Sequence, residues 1–418
     1  MNHLTRDVVI IGGGPAGMMA AIEMAGRGLH VLIAERNKIL GRKLRITGKG
    51  RCNITNNCDF DTLIQNVCQG GKFMYSSFRR FSNVDVIDFF ENHGLPTVVE
   101  RGGRVFPASQ KAYDVAELLG NIIRALKIPV LYECRVQHFT LTDDVPSRIA
   151  GVSAIVCGKM RKIPCKSVIL ATGGITYPLT GSTGDGYTLA KQVGHTIVTP
   201  RPSLVALKCR EKALCASLEG LSLKNVSLRL KRAGKCLYED FGEMVFTDSG
   251  VSGPLVLSAS RHVTGTEEYK MHIDLKPGLT PQQLDTRILS DFSKYEKRDF
   301  INALDDLLPK RLIEGIVQRS GIPARQKVSG VTREQRMKLV DTLKDFTLTP
   351  FEPASADQAI VTAGGITLSE VDPKTMRSKI CPNLYFAGEI LDVDGYTGGF
   401  NLTVAFSTGY TAGNCAEA

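Results

Sequence analysis

No two of the 11 cysteines are spaced as Cys-x-x-Cys, and no histidine sits at a matching interval. Structural zinc and iron–sulfur sites draw on such clusters, so no metal is expected. Thiols in this number, and an odd number of them, suit a reducing interior, which makes the cytoplasm the expected compartment. A membrane-length apolar run is also missing. The nearest candidate, Val8 to Ala25, is interrupted by Gly12-Gly13-Gly14-Pro15, carries Glu23, and is followed by no small-residue cleavage site. There is no tandem repeat and no low-complexity tract. A dense basic stripe with interleaved aromatics is absent too. Lys and Arg outnumber Asp and Glu by 52 to 42, giving a net charge of +10, but they are spread out, and the groups at Arg42 to Arg45 and Arg229 to Lys235 are short. A solvated surface or an anionic small ligand accounts for that balance, and no nucleic-acid partner is expected.

What is present points to a ligand held by backbone. The chain has 418 residues, enough for two or three domains. Its 41 glycines exceed the average of roughly 7% and gather in loops. Val8 to Ile11 reads as a buried strand, Ala16 to Arg27 as a helix ended by Gly28, and His30 to Ala34 as a second strand, together a βαβ unit. A polar, glycine-studded loop fills Lys38 to Asn57. Asp85 to Gly94 and Tyr113 to Leu126 read as amphipathic helices, and Val130 to Thr140, Ser153 to Cys157 and Ser167 to Ala171 as strands. From about Pro200 the residues alternate apolar and polar, as in a half-exposed antiparallel sheet, and Thr280 to Phe346 is helical. The expected organisation is an α/β, Rossmann-like domain split in sequence, with an inserted antiparallel β domain and a helical cap. The segments are 1–195, 196–278 for the β insertion, 279–346 for the cap, and 347–418, where the β domain and the nucleotide domain return.

Gly12-x-Gly14-x-x-Gly17 follows a strand and opens a helix with Pro15 and Ala16 at its start. The first glycine permits a tight turn, the second close approach of backbone N–H groups to a pyrophosphate, and the third close helix–strand packing. Glu35, at the end of the next strand, suits both ribose hydroxyls and repels a 2′-phosphate, and Arg36 adjoins it. Such a turn alone serves FAD or NAD. The far end of the chain favours FAD, whose flavin half needs separate support. Gly388-Glu389 follows the strand Leu384 to Ala387, placing a carboxylate for ribityl hydroxyls. Gly398-Gly399-Phe400-Asn401 then opens a helix whose free N–H groups suit negative charge on a reduced ring. Thr172-Gly173, after a third strand, offers another backbone approach. In the long loop, Lys43 and Arg51 are candidate partners of the pyrophosphate, and Cys52 has a backbone or packing role. The glycines of "GSTGDG", 181–186, have other intervals, so no independent NAD(P)H domain is visible and a nicotinamide would dock directly at the flavin. Tyr177 and Tyr396, in glycine-rich loops, are candidate proton donors or stacking walls, while His93 and His195 read as structural.

"GGGPAG…ER", "GKGRCNITN", "ATGGITYPLTGSTGDGY", "TAGGITLSEVDPKTMRSK" and "LYFAGEILDVDGYTGGFNL" together resemble a bacterial flavoprotein family. It contains aminoacetone oxidases and BaiN-type NADH-dependent reductases of 3-dehydro-bile-acid dienes. The resemblance covers nearly the whole chain, with Lys49 standing where the loop is more often glycine or serine. It implies FAD as cofactor, with contacts on Gly14, Ala16, Gly17, Glu35, Lys43, Cys52, Val136, Gly388, Glu389 and Asn401, Val136 lying at the adenine. It further implies a small-molecule substrate and NADH or NADPH as donor. The favoured expectation is reduction of a conjugated double bond in a 3-oxo steroid such as a 3-dehydro-4,6-bile-acid diene. An amine oxidase releasing hydrogen peroxide, and a non-catalytic flavin-binding or RNA-associated protein, are the alternatives.

Overall fold

The computed structural model describes residues 6–264, 268–354 and 359–417. The chain forms two compact units, one from 1–203 and 356–418 and the other from 204–355. The first unit is built on a sheet whose centre is β1 (Arg6–Ile11), which is followed by α1 (Pro15–Gly26) and β2 (Val31–Ala34). β1 lies between β2 and the far end of β3 (Lys159–Leu170), all parallel. Val8, Val9 and Ile10 are fully buried, as expected of a strand covered on both faces. β3 is long enough to serve two sheets. Its first half pairs antiparallel with Ile149–Val156, and its second half runs parallel to β1. The expected single strand over 130–140 is two. Val130–Leu131 extends the parallel sheet beside β2, the backbone turns at Glu133 with φ 50°, and Cys134–Leu141 joins the antiparallel layer.

Further elements of this unit include α2 (Asp185–Gln192), β4 (Ile197–Ser203), β5 (Val361–Ile366), β6 (Leu384–Phe386) and α3 (Phe400–Cys415). β6 adds to the parallel sheet beside β3. β4 pairs antiparallel with β5, so residues 197–203 belong to this unit and not to the inserted sheet, whose expected start is 196. Periodicity marks a half-buried strand but does not name its neighbour.

α1 and α3 pack against each other through their small residues. A Cβ on Gly409 would collide with the Ala16 carbonyl, and one on Gly413 would lie 2.7 Å from the Ala20 carbonyl oxygen. Further along, Asn414 Nδ2 donates to Glu23 Oε1 at 2.9 Å, and Arg27 donates to the Gly413 and Ala416 carbonyls at 2.7 and 2.9 Å. Both sequence numbers rise together, so the helices run parallel. Phe400 precedes Gly409 by nine residues and Pro15 precedes Ala16 by one, so the N-terminus of α3 projects about 12 Å beyond that of α1 on the same side, at 1.5 Å per residue.

The second unit contains a seven-stranded antiparallel sheet. Ser222–Arg232 and Lys235–Phe246 form its central hairpin, and Leu223, Val226, Leu228 and Leu230 turn to the buried face. The helical stretch is three helices, Pro281–Lys294, Lys310–Ser320 and Arg333–Lys344. The first and third start with capping boxes, Thr280 with Gln283 and Thr332 with Gln335.

Candidate functional site

The site begins at the β1–α1 turn. Gly12 has φ 107°, and a Cβ there would strike the Ala171 carbonyl of the neighbouring strand end; one on Gly17 would strike the Gly12 carbonyl. Those two glycines are demanded by protein packing. Gly14 is different, because a Cβ there meets no protein atom within 4 Å. Its bare side faces open space where the first N–H groups of α1, with Pro15 at the first helical position, have no intrahelical acceptor. A helix start with this open space is a cradle that suits an anionic group.

Glu35 is buried, and its carboxylate braces the turn. Oε2 accepts from Gly13 N at 2.7 Å, and Oε1 accepts from both nitrogens of Asn37 at 2.7 Å. Its own carbonyl accepts from Cys134 N at 2.9 Å, which brings the strand carrying buried Val136 alongside. Arg36 reaches across to Thr183 and Asp185, the latter at 3.2 Å. Burial alone would raise the Asp185 carboxyl, but hydrogen bonds from Arg135 and Thr183 and the charge of Arg36 outweigh it and hold the group below its ordinary value.

Next along the cradle, Lys43 Nζ donates to Glu389 Oε2 at 2.8 Å and to Thr176 Oγ1 at 2.9 Å. Glu389 Oε1 accepts from Thr362 N at 2.7 Å and from Thr176 Oγ1 at 3.2 Å. The lysine that sequence assigned to the pyrophosphate is thus joined to the carboxylate assigned to the ribityl chain. Gly388, with φ 79°, lets this loop sit on α1, since a Cβ would lie 2.9 Å from that of Ala16. Thr172 and Gly173 flank the same turn, and Thr172 Oγ1 is buried without a hydrogen-bond partner. Tyr177, in the left-handed region, has its ring 5.9 Å from Lys43 Nζ. Thr176 and Thr362 are not among the sequence candidates, although each lies within a glycine-rich motif, "ATGGIT" and "TAGG".

The far end is the N-terminus of α3. Gly399 has φ 102°, and a Cβ there would overlap the Thr55 backbone, so the long loop lies directly on this helix end. Thr55 and Thr403 hydroxyls meet at 2.7 Å, and Asn56 Nδ2 donates to the Gly398 carbonyl at 3.0 Å. Phe400 is buried. The Asn401 side chain is committed locally, bonding both backbone groups of Gly395 at 2.9 and 2.8 Å and the Tyr396 carbonyl at 3.2 Å. What it leaves to a ligand is its backbone N–H at the helix start. Tyr396 sits at this edge and Tyr177 at the Lys43 edge, so the two candidate donors occupy different places. The Arg51 side chain is not brought to the cradle by its contacts. Its guanidinium binds Gln110 Oε1 at 2.7 Å and Glu100, and lies 4.2 Å from the Phe106 ring centre. Cys52 is buried at φ 58°, and burial pushes its thiol up to about 12, so it packs and does not react.

Among the described residues no cluster of three or more His, Cys, Asp or Glu is arranged to hold a metal, and no helix is long and apolar enough to cross a membrane. His195 Nδ1 meets Glu370 Oε2 at 3.0 Å and its Nε2 meets Ser378 Oγ at 2.7 Å, a serine–histidine–glutamate order. Ser378 Oγ already accepts from Ile380 N and Cys381 N and is buried, so this relay is structural.

Two solved structures share the fold at low sequence identity. They are 3-ketosteroid-delta4-(5alpha)-dehydrogenase from Rhodococcus jostii RHA1 (TM-score 0.52, 15% identity, 98% of this chain and 96% of that one) and 3-ketosteroid delta1-dehydrogenase from Sterolibacterium denitrificans (0.54, 13%, 98% and 99%). In sequence the chain is 32% identical over 416 residues to the 3-dehydro-bile acid delta(4,6)-reductase of Clostridium scindens, covering 97% of this chain and 98% of that protein. It is 30% identical over 404 residues to the ribosomal RNA dihydrouridine synthase of Haemophilus influenzae, covering 96% of each. The family model of the HI0933-like protein Rossmann domain matches residues 6–415. The chain therefore belongs to the HI0933-like Rossmann-domain family.

Proposed function

We propose that the chain binds FAD along the face where α1 and α3 open, and uses it to reduce a carbon–carbon double bond conjugated with a carbonyl, with NADH or NADPH as electron donor. The parallel register of the two helices carries this reading. It sets two helix N-termini on one side, staggered by about 12 Å along the helix axis. One extended molecule then meets Val136 and Glu35 at its adenosine, Gly12 to Gly17 at its pyrophosphate, Lys43, Gly388 and Glu389 at its ribityl chain, and Gly399, Phe400 and Asn401 at its ring. When bound, FAD supplies two-electron hydride chemistry. The N-terminus of α3 favours negative charge at the ring end, and Tyr177 or Tyr396 holds the proton that the substrate's α-carbon receives.

The names of the sequence relatives support one bond change. A bile-acid 4,6-diene conjugated with a 3-oxo group and the C5–C6 bond of uridine both gain a hydride and a proton. The substrate class proposed here is the 3-oxo-4,6-diene steroid, acting in the cytoplasm, where the free thiols stay reduced. A second reading, uridine in ribosomal RNA, is favoured by the net charge of +10 and by relatives at 30% and 29% identity. The test is anaerobic: FAD-loaded protein is reduced with NADH and then mixed with a 3-oxo-4,6-diene steroid or with unmodified ribosomal RNA. Reoxidation by the steroid with loss of its long-wavelength absorbance supports the first reading. Reoxidation by RNA alone, with dihydrouridine formed, replaces it with the second. Peroxide release from aminoacetone in air, with neither reoxidation, would make the chain an oxidase.

A further inference from the structure

Asn53 lies in the loop between the Lys43 turn and the N-terminus of α3, and nothing above gives it work. Its backbone N lies 3.3 Å from where a Cβ on Gly48 would be, and two residues on, Thr55 sits against Gly399 and Thr403. The loop reaches this position through strained backbone, with Lys49 at φ 56° and Cys52 at φ 58°, both non-glycine residues in the left-handed region. Cys52 N is fixed to the Thr47 carbonyl at 3.1 Å and Ile54 N to the Val105 carbonyl at 2.8 Å, so Asn53 is held from both sides. Yet Asn53 Oδ1 is buried with no hydrogen-bond partner. Its neighbours Thr55 and Asn56 are bonded. A buried carboxamide oxygen left unpaired is costly, and a strained loop that presents one is built for a ligand.

From these placements we infer that the Asn53 carboxamide pairs with the imide edge of the flavin ring, Oδ1 accepting from the ring N3–H and Nδ2 donating to the adjacent carbonyl. The inference rests on the FAD reading above. A primary amide and an imide present matching donor and acceptor atoms, and α3, whose start Thr55 touches, marks the ring end. Asn53 is thereby a positioning residue: it sets the tilt of the ring and, by donating to a carbonyl that gains electron density, favours the reduced form.

The test compares wild type, Asn53→Leu and Asn53→Asp for FAD dissociation constant, visible spectrum and midpoint potential. The leucine variant should bind FAD about tenfold more weakly. The near-isosteric aspartate keeps the shape, loses the donor and adds a charge, so its midpoint potential should fall and its flavin bands should shift. Aspartate protein matching wild type in potential and spectrum would overturn the inference, even if affinity drops, because a merely structural asparagine would behave that way. Wild-type protein that takes up no FAD would overturn the parent reading instead, a result read before any variant is made.

Discussion

At Glu35 one carboxylate braces Gly13 and Asn37, and on the proposed reading it also meets the adenosine. Glu35→Ala removes charge-assisted bonds of about 1.5–3 kcal/mol each, so FAD affinity should fall by more than tenfold in a fluorescence titration. His195 makes a pH prediction. Burial lowers its proton affinity and outweighs the pull of Glu370. The unfolded chain therefore takes up a proton at about pH 6.5 that the folded one resists. The stabilisation is present above that value and is lost as pH falls below it. Glu370, itself held below its ordinary value, acts in the same direction. The melting temperature should drop between about pH 7.5 and 5.5, and His195→Gln should flatten that slope. The need for glycine at 12 and 17 was legible because the backbone demands it, while the bonds from Gly13 and Asn37 to Glu35 were not. Thr176 and Thr362 were not, because each is defined by Glu389, and no spacing rule joins residues so far apart.

Among the elements, the β1–α1–β2 unit was readable because strand, turn and helix are contiguous and each carries its own pattern. The assignment of β4 failed because partner choice is tertiary. The α1–α3 crossing was hidden as well: Gly409 and Gly413 look like weak helix residues until Ala16 and Ala20 are seen against them. That crossing gives a sharp test. Gly409→Ala forces a Cβ into the Ala16 carbonyl, an overpacking cost of about 1–3 kcal/mol. The melting temperature should fall by several degrees, and FAD retention should fall with it, because the helix that moves carries the N–H groups proposed to meet the ring. An exposed glycine replaced as a control, Gly28→Ala, has free space around it but a φ of 76°, so any loss there should leave FAD binding untouched.

The chain as a whole folds its nucleotide unit from two distant segments. Ser203 and Val361 are paired across β4 and β5, so the points where the intervening chain leaves and returns are neighbours. Replacing 204–355 by a short Gly-Ser linker should leave a protein that still takes up FAD, seen as a bound flavin spectrum. Loss of flavin uptake would show that the second unit supports the cofactor site. That the chain is split was legible from the change of texture near Pro200, while the point of division was set by pairing that no local signal reveals.

The side-by-side register of α1 and α3 also governs the order of events during synthesis. The groove on α1 that Gly409 and Gly413 fill is made some 385 residues before its cover, tens of seconds earlier at ordinary translation speed. Throughout that interval Ala16 and Ala20 lack their lid and the sheet lacks β6, so a nascent chain can bind a nucleotide only at one end. On the proposed FAD reading, capture of the whole cofactor is thereby a late event.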